Sequence, residues 1–515
     1  MTRSASRWWT LLAVCGATFM LLVDVTIVQV ALPTIQRHLQ ANFADLQWVI
    51  DAYALTLASL LLTAGSLADH VGRKRVFVGG LAVFSVASLL CGAATSSSLL
   101  IWARAVQGLG GAAMFATGLA LIGQDYRGAD RGKAIAVWGA TVGGAVAVGP
   151  LIGGALTDGF GWRWIFFVNV PIGALTIAVS VAKMVNVRDP GARRLDVVGL
   201  VTFCASLFLL ILALVRGNDD GWGSPRIASL FAAAAVLMVA FVVTERRHER
   251  AMFDLSLFRK PGFTGVSIAT FAIGAGMFAL LPYLTFYLQN DLGYSPLAGG
   301  LRLLPATVPA FVVPMATRRV ADRLPPGLVL GTGLGVTAVG IALMHGLAVG
   351  SSWTALIPGL LVSGLGIGIA NPAIARIALG VVEPQRSGMA SGISNTFRIG
   401  GLATGVAALG AVFQHRLAGS LAAGLGHPAP ALARAIASGG LRAAAAAPGA
   451  GGLVPAARRA FADATNELFA IGAVVVAAGA LTAALLIRAR DFHGASEPVQ
   501  REEPVPVSGP SRRGL

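Results

Sequence analysis

Asp24 is a carboxylate deep within an apolar run, Ala13 to Leu32, that is long enough to cross a bilayer. A charged group near the membrane centre costs about 2.5–3.5 kcal/mol on insertion scales. Crossing a membrane does not require that penalty, so such a residue points to ion or proton handling, or to contact with a translocated substrate. Three more ionisable side chains stand out in other apolar runs. Asp51, in Trp48-Val-Ile-Asp51-Ala-Tyr53, sits early in its run near the outer end. There it is either a hydrated residue of the lip or a point of proton entry or substrate contact. Arg104 lies in mid-run and needs a carboxylate or backbone carbonyls to offset its charge. Arg398 is a second such cation, and either helix anchoring or contact with a substrate pathway would explain it.

What such groups can do depends on the elements that hold them. Windows of about 19 or more apolar residues mark transmembrane helices, and fourteen such runs are present. They divide into six spans within residues 1–190, a tight pair within 191–260 that ends in a cytoplasmic linker, and six more within 261–490. Lys and Arg alternate in density along the connections. The loops on the side of the N-terminus hold 27 of them and the opposite loops 10. The positive-inside rule therefore places both termini in the cytoplasm of a cell whose plasma membrane the chain crosses repeatedly. Residues 414–466 fall outside by parity and read as a mobile insertion, partly helical at most, that could cover an exit. Residues 491–515 hold little that could be buried and read as a disordered cytoplasmic tail.

Composition narrows the classes further. The chain has 515 residues, 56% of them hydrophobic and 12% charged, against about 25% charged in soluble domains. The net charge of +16 would suggest nucleic acid in a soluble protein, but here the basic residues follow loop topology, so no nucleic-acid partner is expected. The apolar stretch after Arg3 and Arg7 is too long for a signal-peptide core and reads as a retained first span. Cys15, Cys91 and Cys204 are far apart and give no metal or disulfide pattern. Gly108-Leu-Gly110-Gly-Ala-Ala lies inside an apolar run with no strand before it, which argues against a dinucleotide site. No phosphate-binding Walker A sequence and no credible catalytic constellation is present. The chain is expected to be neither an enzyme nor an ATP-driven pump, and to need no cofactor or metal beyond a proton gradient.

Between the second and third spans runs Gly65-Ser-Leu-Ala-Asp69-His-Val-Gly72-Arg73-Lys74-Arg75. Its basic cluster alone would be an ordinary membrane-facing loop, but that does not account for Gly65, Asp69 and Gly72 at this spacing. The segment resembles the signature of the major facilitator superfamily. Arg104-Ala-Val-Gln107-Gly108-Leu-Gly110-Gly111 in the fourth span is similar to another of its motifs. Gly149-Pro150-Leu-Ile-Gly153-Gly154 in the fifth is similar to the one associated with antiporters. Leu22-Val-Asp24-Val-Thr26-Ile-Val-Gln29, Trp162 to Pro171, and Ser391-Gly-Ile-Ser-Asn395-Thr-Phe-Arg398 resemble the fourteen-span drug:proton antiporters. Gln29 stands where that family usually has Asn.

The resemblance implies an all-α membrane fold of two six-helix bundles plus two inserted helices, working by alternating access as a monomer. It implies that Asp24 and Arg104 lie on neighbouring helices. They would then form either a static ion pair or a pair whose separation moves a proton, with Asp51 as a further proton-coupling candidate. Gly65, Asp69, Gly72, Arg73, Gly149, Pro150, Gly153 and Gly154 become gating candidates, and Gln29, Gln107, Asn395 and Arg398 candidates for the substrate pathway. The implied function is proton-driven export of small amphipathic drugs or antibiotics. A dedicated exporter of one metabolite or self-made antibiotic, an uptake transporter, and a membrane receptor are the alternatives.

Overall fold

The computed structural model describes residues 3–126, 128–186, 196–247, 254–321, 323–382, 387–439 and 450–488. Their regular structure is helical throughout. The first bundle contains α1 (Arg3–Leu39), α2 (Phe43–Val71), α3 (Arg73–Gly92), α4 (Ser97–Asp125), α5 (Gly128–Gly159) and α6 (Trp164–Lys183). Next come α7 (Val197–Asp220) and α8 (Pro225–Arg247). The second bundle begins with α9 (Pro261–Asp291) and with α10, in which Pro296–Arg302 and Leu304–Thr317 meet at 43°. It continues with α11 (Pro326–Leu343), α12 (Ile357–Gly380) and α13 (Ser387–Leu425). A short α14 (Pro430–Gly439) then precedes the closing helix α15 (Ala450–Leu486). Thirteen of these helices are long and apolar enough to cross a membrane, and fourteen spans result when the bent α10 is taken as one, matching the number of apolar runs.

Helices are the natural state here because hydrocarbon offers no partner for an open backbone group. Their starts are set by side-chain caps. Asn42 accepts from the Asp45 amide at 2.8 Å while the Asp45 carboxylate accepts from the Asn42 amide, a capping box for α2. Ser295 caps α10 ahead of Pro296, whose missing N–H costs nothing in a first turn. Between α2 and α3 the chain turns within one residue, Gly72 at φ +113°, a region that side chains avoid.

Small residues set the spacing of the first bundle. A Cβ on Gly110 of α4 would fall 2.7 Å from the Gly80 carbonyl oxygen of α3. Gly110→Val is therefore expected to cost about 1–3 kcal/mol through overpacking, seen as a lower thermal midpoint of the purified chain. Gly79→Val, where an added Cβ meets nothing within 4 Å, is the control and should leave the midpoint in place.

The two bundles meet along α2 with α13, α5 with α10, and α1 with α9. The face where α1 starts and α15 ends is called terminal below, and the opposite face distal. Toward the distal face the seam is tightly closed. Gln47 donates to the Val406 carbonyl at 3.1 Å, and Gln289 to the Val30 carbonyl at 2.8 Å. Asp158 at the end of α5 accepts from Ser295 Oγ at 2.6 Å and from the Leu297 amide at 3.2 Å. The Phe43 ring stacks on Phe413 at 5.7 Å and touches Tyr283 and Phe286. Within this plug lies a small cavity bordered by Phe43, Gln47, Ile50, Tyr283, Phe286 and Val406.

The inserted pair does not lie inside the bundles. α7 covers the α2–α13 seam, its Phe208 against Trp48 at 5.6 Å and its Asn218 donating to the Ala411 carbonyl at 2.7 Å. α8 packs chiefly on α7 and turns Val236, Val239 and Val243 outward.

Residues 414–466 differ from the mobile insertion that the sequence suggests. α13 runs on to Leu425, and α15 already begins at Ala450. Between them α14 buries Ala433, Ile436 and Ala437 against the distal ends of α13, α1 and α2. The alanine richness that lowered the segment's hydropathy signal is also the strongest helix-forming composition. Residues 440–449, the connections 187–195 and 248–253, and the tail 491–515 lie outside the described residues.

Candidate functional site

α1 carries Asp24 into the middle of the first bundle, where it has no exposed surface. Arg104 of α4, 2% exposed, places Nη1 2.5 Å from Asp24 Oδ2. The same Nη1 donates to Gln107 Oε1 at 2.7 Å, and Gln107 Nε2 donates back to Asp24 Oδ1 at 2.9 Å. From α6, Asn169 Nδ2 donates to Asp24 Oδ1 at 3.1 Å. Gln107 and Asn169 both also donate to Ser88 Oγ of α3, at 2.9 and 3.0 Å. Arg104 is completed from α2, its Nε donating to the Val49 carbonyl at 3.2 Å and its guanidinium lying 4.0 Å from the Tyr53 ring centroid. Both oxygens of the carboxylate thus have donors, which is the condition for holding an ion pair away from water.

Asp51 is a turn away on α2 and in the opposite situation. It is fully buried, and neither carboxylate oxygen has a hydrogen-bond partner among the described residues. The expected place at a hydrated lip is corrected: Asp51 lies below the Phe43 plug, roofed by the closed seam. Its position between Val49 and Tyr53 means that a single turn of α2 holds Arg104 on one face and a naked carboxyl group on another.

The glycine motifs tie this centre to the seam. On α5, a Cβ at Gly153 would come within 3.0 Å of the Ile27 carbonyl oxygen, and one at Gly149 would strike Thr26. Both contacts are on the turn of α1 that follows Asp24. On the other side of α5, Gly154 meets Leu297 of α10, with a Cβ there 2.6 Å from the Leu297 Cα, while the Pro150 carbonyl faces Gly300. At the terminal face Arg73 pairs with Asp69 at 3.1 Å and donates to the Ala120 carbonyl at 3.3 Å. Lys74 donates to the Val181 and Met184 carbonyls at 2.8 Å, so the segment fastens α2, α3, α4 and α6 together. Gly65 packs beside Ala116 of α4.

Of the four candidates for the substrate pathway, Gln29 is buried on α1. Gln107 is buried within the Asp24 network, donating to Asp24 and to Ser88. Asn395 and Arg398 remain partly exposed on α13, with Arg398 Nη2 donating to Asn395 Oδ1 at 2.8 Å. Sequence reasoning did not single out Ser88, Gln47 or Gln289, and gave no role to Tyr53 or to Asn169 within the Trp162–Pro171 segment. Their only signal is polarity within apolar runs, which does not distinguish a network member from a surface residue.

The arrangement is that of a two-bundle membrane transporter with a buried charge pair. Residues 14–406 match the family model described as Major Facilitator Superfamily, and the chain belongs to that family. "Multidrug resistance protein Stp" of Mycobacterium tuberculosis is 34% identical over 414 residues, covering 80% of this chain and 77% of its own. "Probable actinorhodin transporter" of Streptomyces coelicolor is 36% identical over 425 residues, 79% of this chain and 73% of its own. Among solved structures, a bacterial homologue of the human lysosomal transporter Spinster, described as inward-facing and unoccupied, superposes with a TM-score of 0.63 at 19% identity. That match covers 95% of this chain and 98% of the other.

Proposed function

We propose that the chain is a proton-driven antiporter of the plasma membrane that exports amphipathic drugs or antibiotics by alternating access. Both termini would lie in the cytoplasm, as the loop charges indicate. The terminal face is then cytoplasmic, and the closed distal seam shuts the outside. The names of the relatives, a multidrug resistance protein and an antibiotic transporter, support the cargo class.

One observation carries the coupling: the turn of α2 at 49–53 joins a saturated carboxylate, Asp24, to an unpartnered one, Asp51. A buried carboxyl group without donors is tolerated when it carries its proton, and a carboxylate beside an arginine when it does not. Opening the distal seam would part Gln47 from Val406 and Phe43 from Phe413, wetting Asp51, and would drag the α2 turn against Arg104. Proton exchange at Asp51 and loosening of Asp24 from Arg104 become steps of one motion. Rocking of the bundles about α5, whose glycines permit sliding on both α1 and α10, provides that motion. No covalent chemistry and no cofactor enters. The membrane potential supplies about 2.3 kcal/mol per charge per 100 mV.

Reconstitution of the full chain into proteoliposomes, with an imposed proton gradient and a fluorescent amphipathic dye, tests this reading. Dye movement opposite to the protons, halted by an uncoupler, is expected. Movement in the same direction would identify an importer, and an unchanged dye distribution a receptor.

A further inference from the structure

Arg104 and Arg398 are both arginines deep in membrane-spanning helices, but their surroundings are opposites. Arg104 is closed off, with a carboxylate, an amide oxygen, a backbone carbonyl and an aromatic ring around it. Arg398 is partly exposed, and its only hydrogen bond among the described residues goes to Asn395 of its own helix. No carboxylate pairs with it among those residues. A guanidinium has five donors in a planar fork suited to a two-oxygen acceptor, and most of those on Arg398 are unused. Serving as a helix anchor would consume them.

The direction of the side chain follows from helix geometry. Asn395, Val406 and Phe413 recur on one face of α13, with Arg398 one turn from Asn395 on its edge. Val406 and Phe413 of that face form the distal plug with Tyr283, Gln47 and Phe43. Arg398 therefore lies about two turns of α13 short of the plug, its backbone against Gly274 of α9. Asn395 is held in place by its own bond to the Ser391 carbonyl at 3.0 Å, which turns its Oδ1 toward the guanidinium. The other ionisable groups at this depth do not cancel the charge: Asp24 is neutralised by Arg104, and Asp51 is buried on α2. From Arg398 to Val406 the helix rises about 12 Å, ending at the apolar cavity bordered by Ile50, Tyr283 and Phe286.

We infer that Arg398, positioned by Asn395, is an anion-binding subsite that selects aromatic amphipaths bearing an ionised acid as the exported cargo. The inference rests on the export reading above and narrows it from amphipaths in general to acidic ones. The acid group docks on the guanidinium, and the ring body extends toward the plug. Energetically, a monoanion leaving as one proton enters moves two charges per turnover with the membrane potential. A neutral cargo moves one, and a monocation none.

The test uses three probes with one ring system: pyrenebutyrate, its methyl ester, and pyrenylbutyl-trimethylammonium. Binding to the purified full chain in lipid nanodiscs is read by pyrene fluorescence. The wild type should bind the carboxylate more tightly than the ester by about tenfold or more, the scale of one charge-assisted hydrogen bond. R398Q should remove that preference and R398K keep most of it, with ester binding reporting that each variant is folded. A wild type that prefers the ammonium or the ester overturns the inference, and so does an R398Q that weakens all three probes equally. Should the carboxylate preference depend on Arg398 while no probe moves under a proton gradient in proteoliposomes, the subsite stands and the export reading falls.

Discussion

Replacing Asp24 with Asn is expected to reduce proton-driven efflux to background while the chain still reaches the membrane. The substitution leaves an oxygen and an amide in place but removes the charge that Arg104 faces at 2.5 Å. Breaking a buried pair by removing one partner costs about 3–5 kcal/mol, because the surviving charge stays buried. The thermal midpoint of Asp24→Asn should therefore fall along with transport, and a second variant is needed to separate the two effects. Asp24→Asn combined with Arg104→Gln leaves no uncompensated charge, so much of the lost stability should return. Transport should not. Recovery of efflux in the double variant would show that the pair only packs α1 against α4, and the coupling role of Asp24 would be lost.

Asp51→Asn is expected to give a stable, substrate-binding protein that scarcely turns over. Asparagine imitates a carboxyl group that never releases its proton, and among the described residues Asp51 has no hydrogen-bond partner that would notice the change. The outside-closed arrangement should be favoured by about 1.4–2.7 kcal/mol, a one- to two-order loss of turnover. Counterflow of labelled substrate with and without a proton gradient reads this directly. The variant should lose the stimulation by the gradient, whereas normal stimulation would return Asp51 to the status of a packing residue. Asp24→Asn differs from it in kind, since it lowers stability and Asp51→Asn should not.

How much of this was legible beforehand differs from residue to residue. Asp24 and Arg104 could be found in the sequence because a charge in an apolar run is conspicuous whatever its neighbours, and hydropathy is a property of the residues themselves. Fourteen spans followed for the same reason: hydrocarbon thickness fixes helix length, so a run of apolar side chains is nearly sufficient to specify the element. The glycine motifs marked where helices approach closely. The bend of α10 and the docked helix α14 were not legible, because each depends on what packs beside it.

Sequence alone thus determined that the chain is a bundle of membrane helices with costly charges inside, because those facts depend only on transfer free energies summed along the chain. Only the tertiary structure decided which charges are satisfied. It surrounded Asp24 with donors from α4 and α6, left Asp51 with none among the described residues, sealed Gln107 within the Asp24 network, and left Arg398 with donors to spare. The reason is that hydrogen bonding and ion pairing act over about 3 Å, and residues 24, 88, 104 and 169 come within that range only when the helices are packed.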